Sequence, residues 1–540
     1  MYSKKIILSV FLLAAAASLT AAQTPQRNMR DFGFIQHANP WLTSINAAGL
    51  GTLSTDRTSY AEAFFDKENG GIIPVEGSDD SWCAGIGTKS YVKISDRLAF
   101  RGELSYSYFH GRNMGGHYLI DPSYNPVNFL ESTETTTGIK VKETYRLLGG
   151  MSYALSDRWS LGANISYETA DYAKRKDPRT KSQWMDLDIS AGARFAPSDR
   201  FSAGLDLQYV RTVETLDGDI FGTTNRQYFT FIDFGGYLGY VEAFDGTTGY
   251  INVGSSAARN ARPMTNTFYG GSLQLTFGRP DNVLLFNELT YLRRSGLYGN
   301  RASIQVAYTE HFGNIYRYSG ALNISRGKNL HIVELEAGYE DLMNYENIYR
   351  MNTIPGGNTV AEYFGQSETL NRSDITGKLS YTGYLGVEHY RPEWEYGLAF
   401  DATYRSFRST YYPYYRMQEV TSMQAAVHGK KNFIFTMNMF EVGLNASYYG
   451  GFGTKSKDGN YAATASDNHS SASSYLDRDF EYDTAARVAG TLSFRYTRLF
   501  GSKISAYIDV RDTYNHTLKK PEFLADGWRN IFTVTIGCAF

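Results

Sequence analysis

Cysteine is almost absent from this 540-residue sequence, which has only Cys83 and Cys538, so no disulfide framework can organise the fold. Proline is also scarce, 13 residues against 52 glycines, and long stretches of backbone are free to donate their N–H groups to a sheet. After residue 22 no stretch approaches the roughly 18 apolar residues that a membrane helix requires. Neither sign of charge dominates, with 53 Lys and Arg against 55 Asp and Glu, and nothing in that balance points to nucleic acid. Catalytic signatures are missing too: there is no Gly-x-Ser-x-Gly, no His-Glu-x-x-His and no Gly-x-x-x-x-Gly-Lys. Asn468-His469-Ser470 has the residue types of a hydrolytic triad, but adjacent positions cannot supply its separated side chains. Asp79-Asp80 has no partner His placed by the pattern. The chain is not read as an enzyme, and no cofactor or metal is expected.

What is present points to export and to strands. Lys4 and Lys5 precede an apolar run from Ile6 to Leu19, and Thr20-Ala21-Ala22 supplies small residues, so residues 1–22 read as a secretory signal peptide cleaved near Ala22. No cysteine follows that cut to carry a lipid. There are 43 tyrosines, yet the mean hydropathy is -0.37, as expected where lipid-facing and lumen-facing residues alternate. The last nine residues show that alternation: Phe532, Val534, Ile536, Cys538 and Phe540 fall on one face, Thr533, Thr535, Gly537 and Ala539 on the other.

Three near copies mark the turns. Ser95-Asp96-Arg97, Ser156-Asp157-Arg158 and Ser198-Asp199-Arg200 each start a strand whose Tyr (Tyr106, Tyr167, Tyr209) lies eleven positions after the Ser. Ser and Asp favour turns by bonding nearby backbone, and about ten tilted strand residues cross a bilayer. Further short turns are expected at Arg279–Asn282, Gly327–Asn329, Arg391–Glu393, Lys430–Asn432 and Gly501-Ser502. Long polar connections are expected at 110–141, 170–182, 212–263, 341–373, 450–480 and 517–527. With a first strand near Thr58–Phe65, the count is about 18 antiparallel strands, between roughly 14 and 20. The expected fold is an all-β transmembrane antiparallel barrel over 58–540, with short periplasmic turns and long extracellular loops, preceded by a segment 23–57 that is either periplasmic or plugs the lumen.

With the greasy face on lipid, the opposite face must line the interior, because a charge in lipid costs a few kcal/mol. It collects Arg101, Glu103, Arg146, Asp186, Asp188, Arg194, Asp206, Lys378, Glu388, Asp401, Arg405, Arg495, Asp509 and Arg511. Mixed signs suit either a self-neutralising solvated lumen or a constriction for a polar solute. Tyr411, Tyr412, Tyr414 and Tyr415 flank Pro413 as an outer aromatic cluster, read as an interfacial girdle or a ligand platform. Asp458, Asn460 and Asp467 have Ca²⁺ donor types without a diagnostic spacing, and read as a solvated loop. Lys174-Arg175-Lys176, Arg179 and Lys181 form a basic outer loop suited to lipopolysaccharide phosphates or to solvent.

The aromatic terminus at Phe540 resembles the closing strand of bacterial outer-membrane barrels, which implies an assembly signal read by the barrel-assembly machinery. Asn46-Ala47-Ala48-Gly49-Leu50 resembles the entry stretch of the long-chain fatty-acid channel family, where the N-terminal segment folds into the barrel as a hatch. Asn46, Gly49 and Leu50 are thereby plug candidates. As a whole, leader, entry motif, Ser-Asp-Arg turns and Phe terminus resemble the large uncharacterised outer-membrane barrels of Bacteroidota. These resemblances imply a multi-pass protein of the outer membrane in contact with its lipid and lipopolysaccharide. The functional expectation is a porin-like channel or transporter for a small polar or hydrophobic solute. The alternative is a non-conducting barrel docking with a surface lipoprotein complex or a TonB-dependent uptake system. Cys83 is expected on the lumen face near the outer rim and Cys538 on the lipid face near the periplasm, too far apart to pair.

Overall fold

The computed structural model describes residues 30–540 except 123, 223–224, 246–249, 254–261, 303–304, 354, 356, 358, 463–469 and 501–503. The signal peptide, Asp467, Asn468, His469 and the Gly501-Ser502 turn lie outside the described residues. Alternating sequence becomes strand throughout. In order these are β1 (Arg57–Gly70), β2 (Asp80–Ser95), β3 (Leu98–Met114), β4 (Asn128–Glu131), β5 (Gly138–Ala154), β6 (Trp159–Lys174), β7 (Arg179–Ser198) and β8 (Phe201–Asp219). Then come β9 (Phe229–Asp233), β10 (Leu238–Ala243), β11 (Asn252–Val253), β12 (Met264–Gly278), β13 (Val283–Gly299), β14 (Ala307–Arg326), β15 (Asn329–Thr353) and β16 (Thr359–Leu385). The chain ends with β17 (Trp394–Tyr411), β18 (Tyr414–Ile434), β19 (Asn438–Asn460), β20 (Ser470–Ser471), β21 (Arg487–Phe500), β22 (Ile504–Thr517) and β23 (Trp528–Ala539).

Eighteen of these pair antiparallel with their neighbours in a single closed sheet, and β1 meets β23 from Tyr60↔Ala539 to Gly70↔Arg529 to complete it. Closure is required: an open edge would leave a row of backbone N–H and C=O groups unpaired in hydrocarbon. The alternation assigns the faces as expected. Leu207 is 69% exposed outside, while its neighbours Asp206 and Gln208 are 1% and 6% exposed inside. Both cysteines are free thiols, with Cys83 opposite Asp66 and Phe109 at the outer end of β2. Among the described residues no helix is long and apolar enough to cross a membrane.

Three expectations about connections are corrected. Lys430-Lys431-Asn432 is not a turn but lies within β18, where Lys430 reaches Glu395 at 2.7 Å and Glu441 at 3.7 Å. Cross-strand carboxylates neutralise a run whose polarity imitates a turn. The real turn is Phe435–Met437, closed by the Phe435 N–H on the Asn438 carbonyl at 2.8 Å. Residues 170–174, 179–182, 341–353 and 359–373 are not loop but strand ends; β15 and β16 are 25 and 27 residues long. At about 3.3 Å per residue such strands far exceed a bilayer and project beyond it. Residues 450–460 likewise continue β19, and helix α2 (Ser473–Thr484) fills the end of that connection.

These faces make a sharp prediction. Ile508→Arg on the lipid side should cost about 2–4 kcal/mol near the midplane. Ser505→Arg points inward beside a cavity of about 310 Å³ and should be tolerated. Equilibrium unfolding in detergent or lipid compares the two; equal losses would refute the facing.

Candidate functional site: the N-terminal segment and the outer cap

Residues 31–53 form three short helical turns, each started by an Asx side chain that accepts a backbone N–H. Asp31 caps α1 (Phe32–His37), Asn39 caps Pro40–Leu42, and Asn46 caps Ala47–Thr52. Such caps satisfy the orphan donors at a helix start, which lets so short a segment hold its shape. The apolar side of these turns forms a small core of Ile35, Leu42, Ala47, Leu50 and Leu53 against Tyr91 and Ala99 of the wall.

The polar side is tied to inward-facing residues around the barrel. Asn46, fully buried, donates to the Ala193 carbonyl at 3.1 Å and to Gln274 Oε1 at 2.9 Å. Gln274 in turn donates to Asp206 at 2.9 Å and Glu288 at 3.1 Å, and Ser44 donates to Glu288 at 2.5 Å. Ser152 and Ser160 both donate to the Ala48 carbonyl, and Tyr91 to that of Leu42 at 3.1 Å. Asn323 of β14 reaches the Ala38 carbonyl at 2.9 Å, and His37 lies 3.1 Å from Glu334. Glycine permits the closest approaches: a Cβ at Gly49 would lie 2.4 Å from Trp41 Cε3, and one at Gly162 would lie 2.1 Å from the Ala48 nitrogen. Asn46, Gly49 and Leu50 thus converge in one hydrogen-bonded and packed unit.

The inward charges divide into groups. Arg101 bonds Asn164 at 3.1 Å and approaches the Leu42 and Ser44 carbonyls, and the Arg194 guanidinium lies 5.1 Å from the Trp41 ring. Glu103 sits between Lys89 at 3.6 Å and Arg146 at 3.8 Å. Arg405 shares Asp374 with Arg372, at 2.6 and 2.9 Å. Arg495 lies 3.7 Å from the Tyr507 ring centre, and Arg511 is 3.9 Å from Asp509. Asp186 and Asp188 each leave a buried Oδ1 without a hydrogen bond. Lys378 and Asp401, with Arg317, Glu336, Glu288 and Ile45, line a cavity of about 450 Å³ between the N-terminal segment and strands β13–β17. Glu388 is corrected: it lies in the exposed 386–393 turn, bonded to Lys328, not in the lumen. Gln274, Glu288, Arg317 and Ser44 were not anticipated; the first three occupy the inward phase of strands whose apolar partners were already visible as strand.

Over the outer mouth lies a four-stranded sheet ordered β20-β10-β9-β4, with α2 beside it. Tyr118, Phe129, Ile232, Phe234, Phe244 and Tyr250 form its core together with Met264, Tyr298 and Tyr308 of the barrel strands. Arg294, fully buried beneath, bonds Asn266, Glu340 at 2.8 Å and the Tyr124 carbonyl at 2.8 Å. Three outer features depart from their sequence readings. Lys174 is not on a solvated loop but buried against Glu131 at 2.6 Å. Asp458 does not belong to a free solvated loop; Arg416 grips it at 2.8 and 2.7 Å. Tyr411 is not part of a girdle: it stacks on Phe234 and Tyr240 of the cap, whereas Tyr412 and Tyr415 pack on Tyr461 outside it.

The chain belongs to a family of unknown function, DUF6850, whose model matches residues 47–540. No curated protein matches the chain. Among solved structures, the ferric preacinetobactin receptor of Acinetobacter baumannii is 8% identical at a TM-score of 0.39, over 89% of this chain and 80% of that one. The RagAB peptide transporter is 9% identical at 0.38, over 90% and 75%. A mutant of the TodX monoaromatic hydrocarbon channel is 9% identical at 0.31, over 92% of each chain. Likenesses this distant add nothing to the barrel read directly from strand pairing.

Two predictions follow for this DUF6850 member. Asn46→Leu removes the donor that serves Gln274 and the Ala193 carbonyl, and should loosen residues 31–53 by about 1–3 kcal/mol without opening the barrel. Hydrogen exchange should then rise in residues 40–53 but not in the strands. In the cap, burial holds the Asp233 carboxyl at about 7, against 3.8 for a free aspartate. Its proton is therefore bound more tightly in the folded cap, and this stabilisation is complete below the free value and lost as pH rises through about 7. Corrected for the protease's own pH profile, cleavage within 229–243 should be faster at pH 8 than at pH 6, and Asp233→Asn should reduce the difference.

Proposed function

We propose that this protein is an outer-membrane transporter for a small, charged polar solute, with residues 31–53 acting as an inner hatch and the β4-β9-β10-β20 sheet as an outer cap. The observation that carries the reading is the cavity of about 450 Å³ against Ile45, lined by Arg317 and Lys378 on one hand and Glu288, Glu336 and Asp401 on the other. A volume of that order suits a small molecule, and the mixed signs suit one carrying both charges. The hatch is fixed by hydrogen bonds to side chains rather than by strand pairing. Its displacement leaves the barrel's own ladder whole, so it can move without unfolding the wall. The polar lining favours a hydrophilic cargo over a hydrophobic one.

The double closure also favours a second reading, a non-conducting barrel whose cap docks a surface partner. Planar-bilayer recordings separate the two. Gly49→Val drives a side chain into Trp41 and should dislodge the hatch. The wild type should conduct rarely, and the variant, verified as a heat-modifiable barrel, should conduct steadily. A variant as silent as the wild type would favour the docking barrel.

A further inference from the structure

The cap holds a cluster that neither the hatch nor the lumen uses. Glu76 comes from the connection between β1 and β2, His117 from that between β3 and β4, and Asp479 from α2. Distant in sequence, they bring one ligand atom each to within 4.8 Å of one another. Tetrahedral zinc with ligands at about 2.0–2.1 Å needs ligand atoms about 3.3 Å apart, a contraction within reach of side-chain rotation.

We propose that Glu76, His117 and Asp479 are the protein ligands of a divalent transition-metal site that staples the three outer connections together. Two features support it. His117 is only 5% exposed, yet its Nδ1 has no hydrogen-bond partner, a rare state for a buried polar atom. Asp479 is already fixed in place, accepting the Val75 N–H at 2.8 Å and bonded to the Tyr237 hydroxyl, which also lies 3.3 Å from His117 Nε2. One imidazole nitrogen with two carboxylates selects a zinc-like ion over Ca²⁺, which prefers six to eight oxygens. Lys140 lies close enough to act on Glu76 and His117, but its ammonium is committed to the Gly115 and His117 carbonyls at 2.9 and 2.6 Å. It steadies the His117 backbone rather than capping the carboxylates. The site is independent of whether the lumen conducts.

The test uses the full barrel purified from outer membranes, stripped with EDTA, incubated with ZnCl₂ and desalted. Elemental analysis should find about one zinc per chain in the wild type. Glu76→Gln and His117→Gln should lose it while keeping a heat-modifiable barrel. Zinc should also slow tryptic cleavage of the cap in the wild type and not in Glu76→Gln, where size and packing are conserved. No retained zinc in the wild type, equal retention by both variants, or Ca²⁺ retained in place of zinc would overturn the proposal.

Discussion

Everything in this molecule depends on one constraint: in hydrocarbon each backbone N–H and C=O must find a partner within the protein. A chain poor in long apolar runs can meet it only by closing a sheet, and the pairing of β1 with β23 does so. Closure then dictates the faces. Leu207, Leu444 and Ile536 turn outward, and Asp206, Gln274 and Arg294 have nowhere to go but in. The polar lumen is thus a consequence of the lipid boundary.

A polar lumen creates a second problem, because buried polar groups are costly unless hydrogen-bonded. The segment 31–53 meets that need with its own backbone carbonyls and with Ser44 and Asn46, joining Ser152, Ser160, Gln274 and Glu288 into one network. Side-chain hydrogen bonds of this kind are individually modest. That makes the segment 31–53 separable from the wall in a way that no barrel strand is. At the outer mouth the solution differs: an aromatic core closes the cap, with buried ions such as Lys174–Glu131 beneath it.

Strand order, facing and turn side were legible because a period of two survives any tertiary detail, as Leu104 to Tyr106 or Phe532 to Phe540 illustrate. The placement of segment 31–53 was legible only as a short motif, since Asn46-Ala-Ala-Gly-Leu50 signals a cap and a close approach but not what it packs on. Turns marked by charge were misleading at Lys430–Asn432, because Glu395 and Glu441, which neutralise that run, lie on other strands. The cap was illegible for a related reason: its sheet and its Glu76–His117–Asp479 cluster join segments far apart in the chain, and no local pattern records such pairings.

The central claim is that residues 31–53 obstruct the lumen and must move for a solute to pass. Its most direct test is a reversible lock, with Ala48→Cys and Ser160→Cys placed where a hydrogen bond of 2.9 Å now joins these residues, in a Cys83→Ser background. Conductance across planar bilayers, or solute flux into liposomes, is measured before and after reduction. The account predicts a silent barrel when the disulfide is formed and recovered flux when it is reduced. Equal flux in the two states would contradict it.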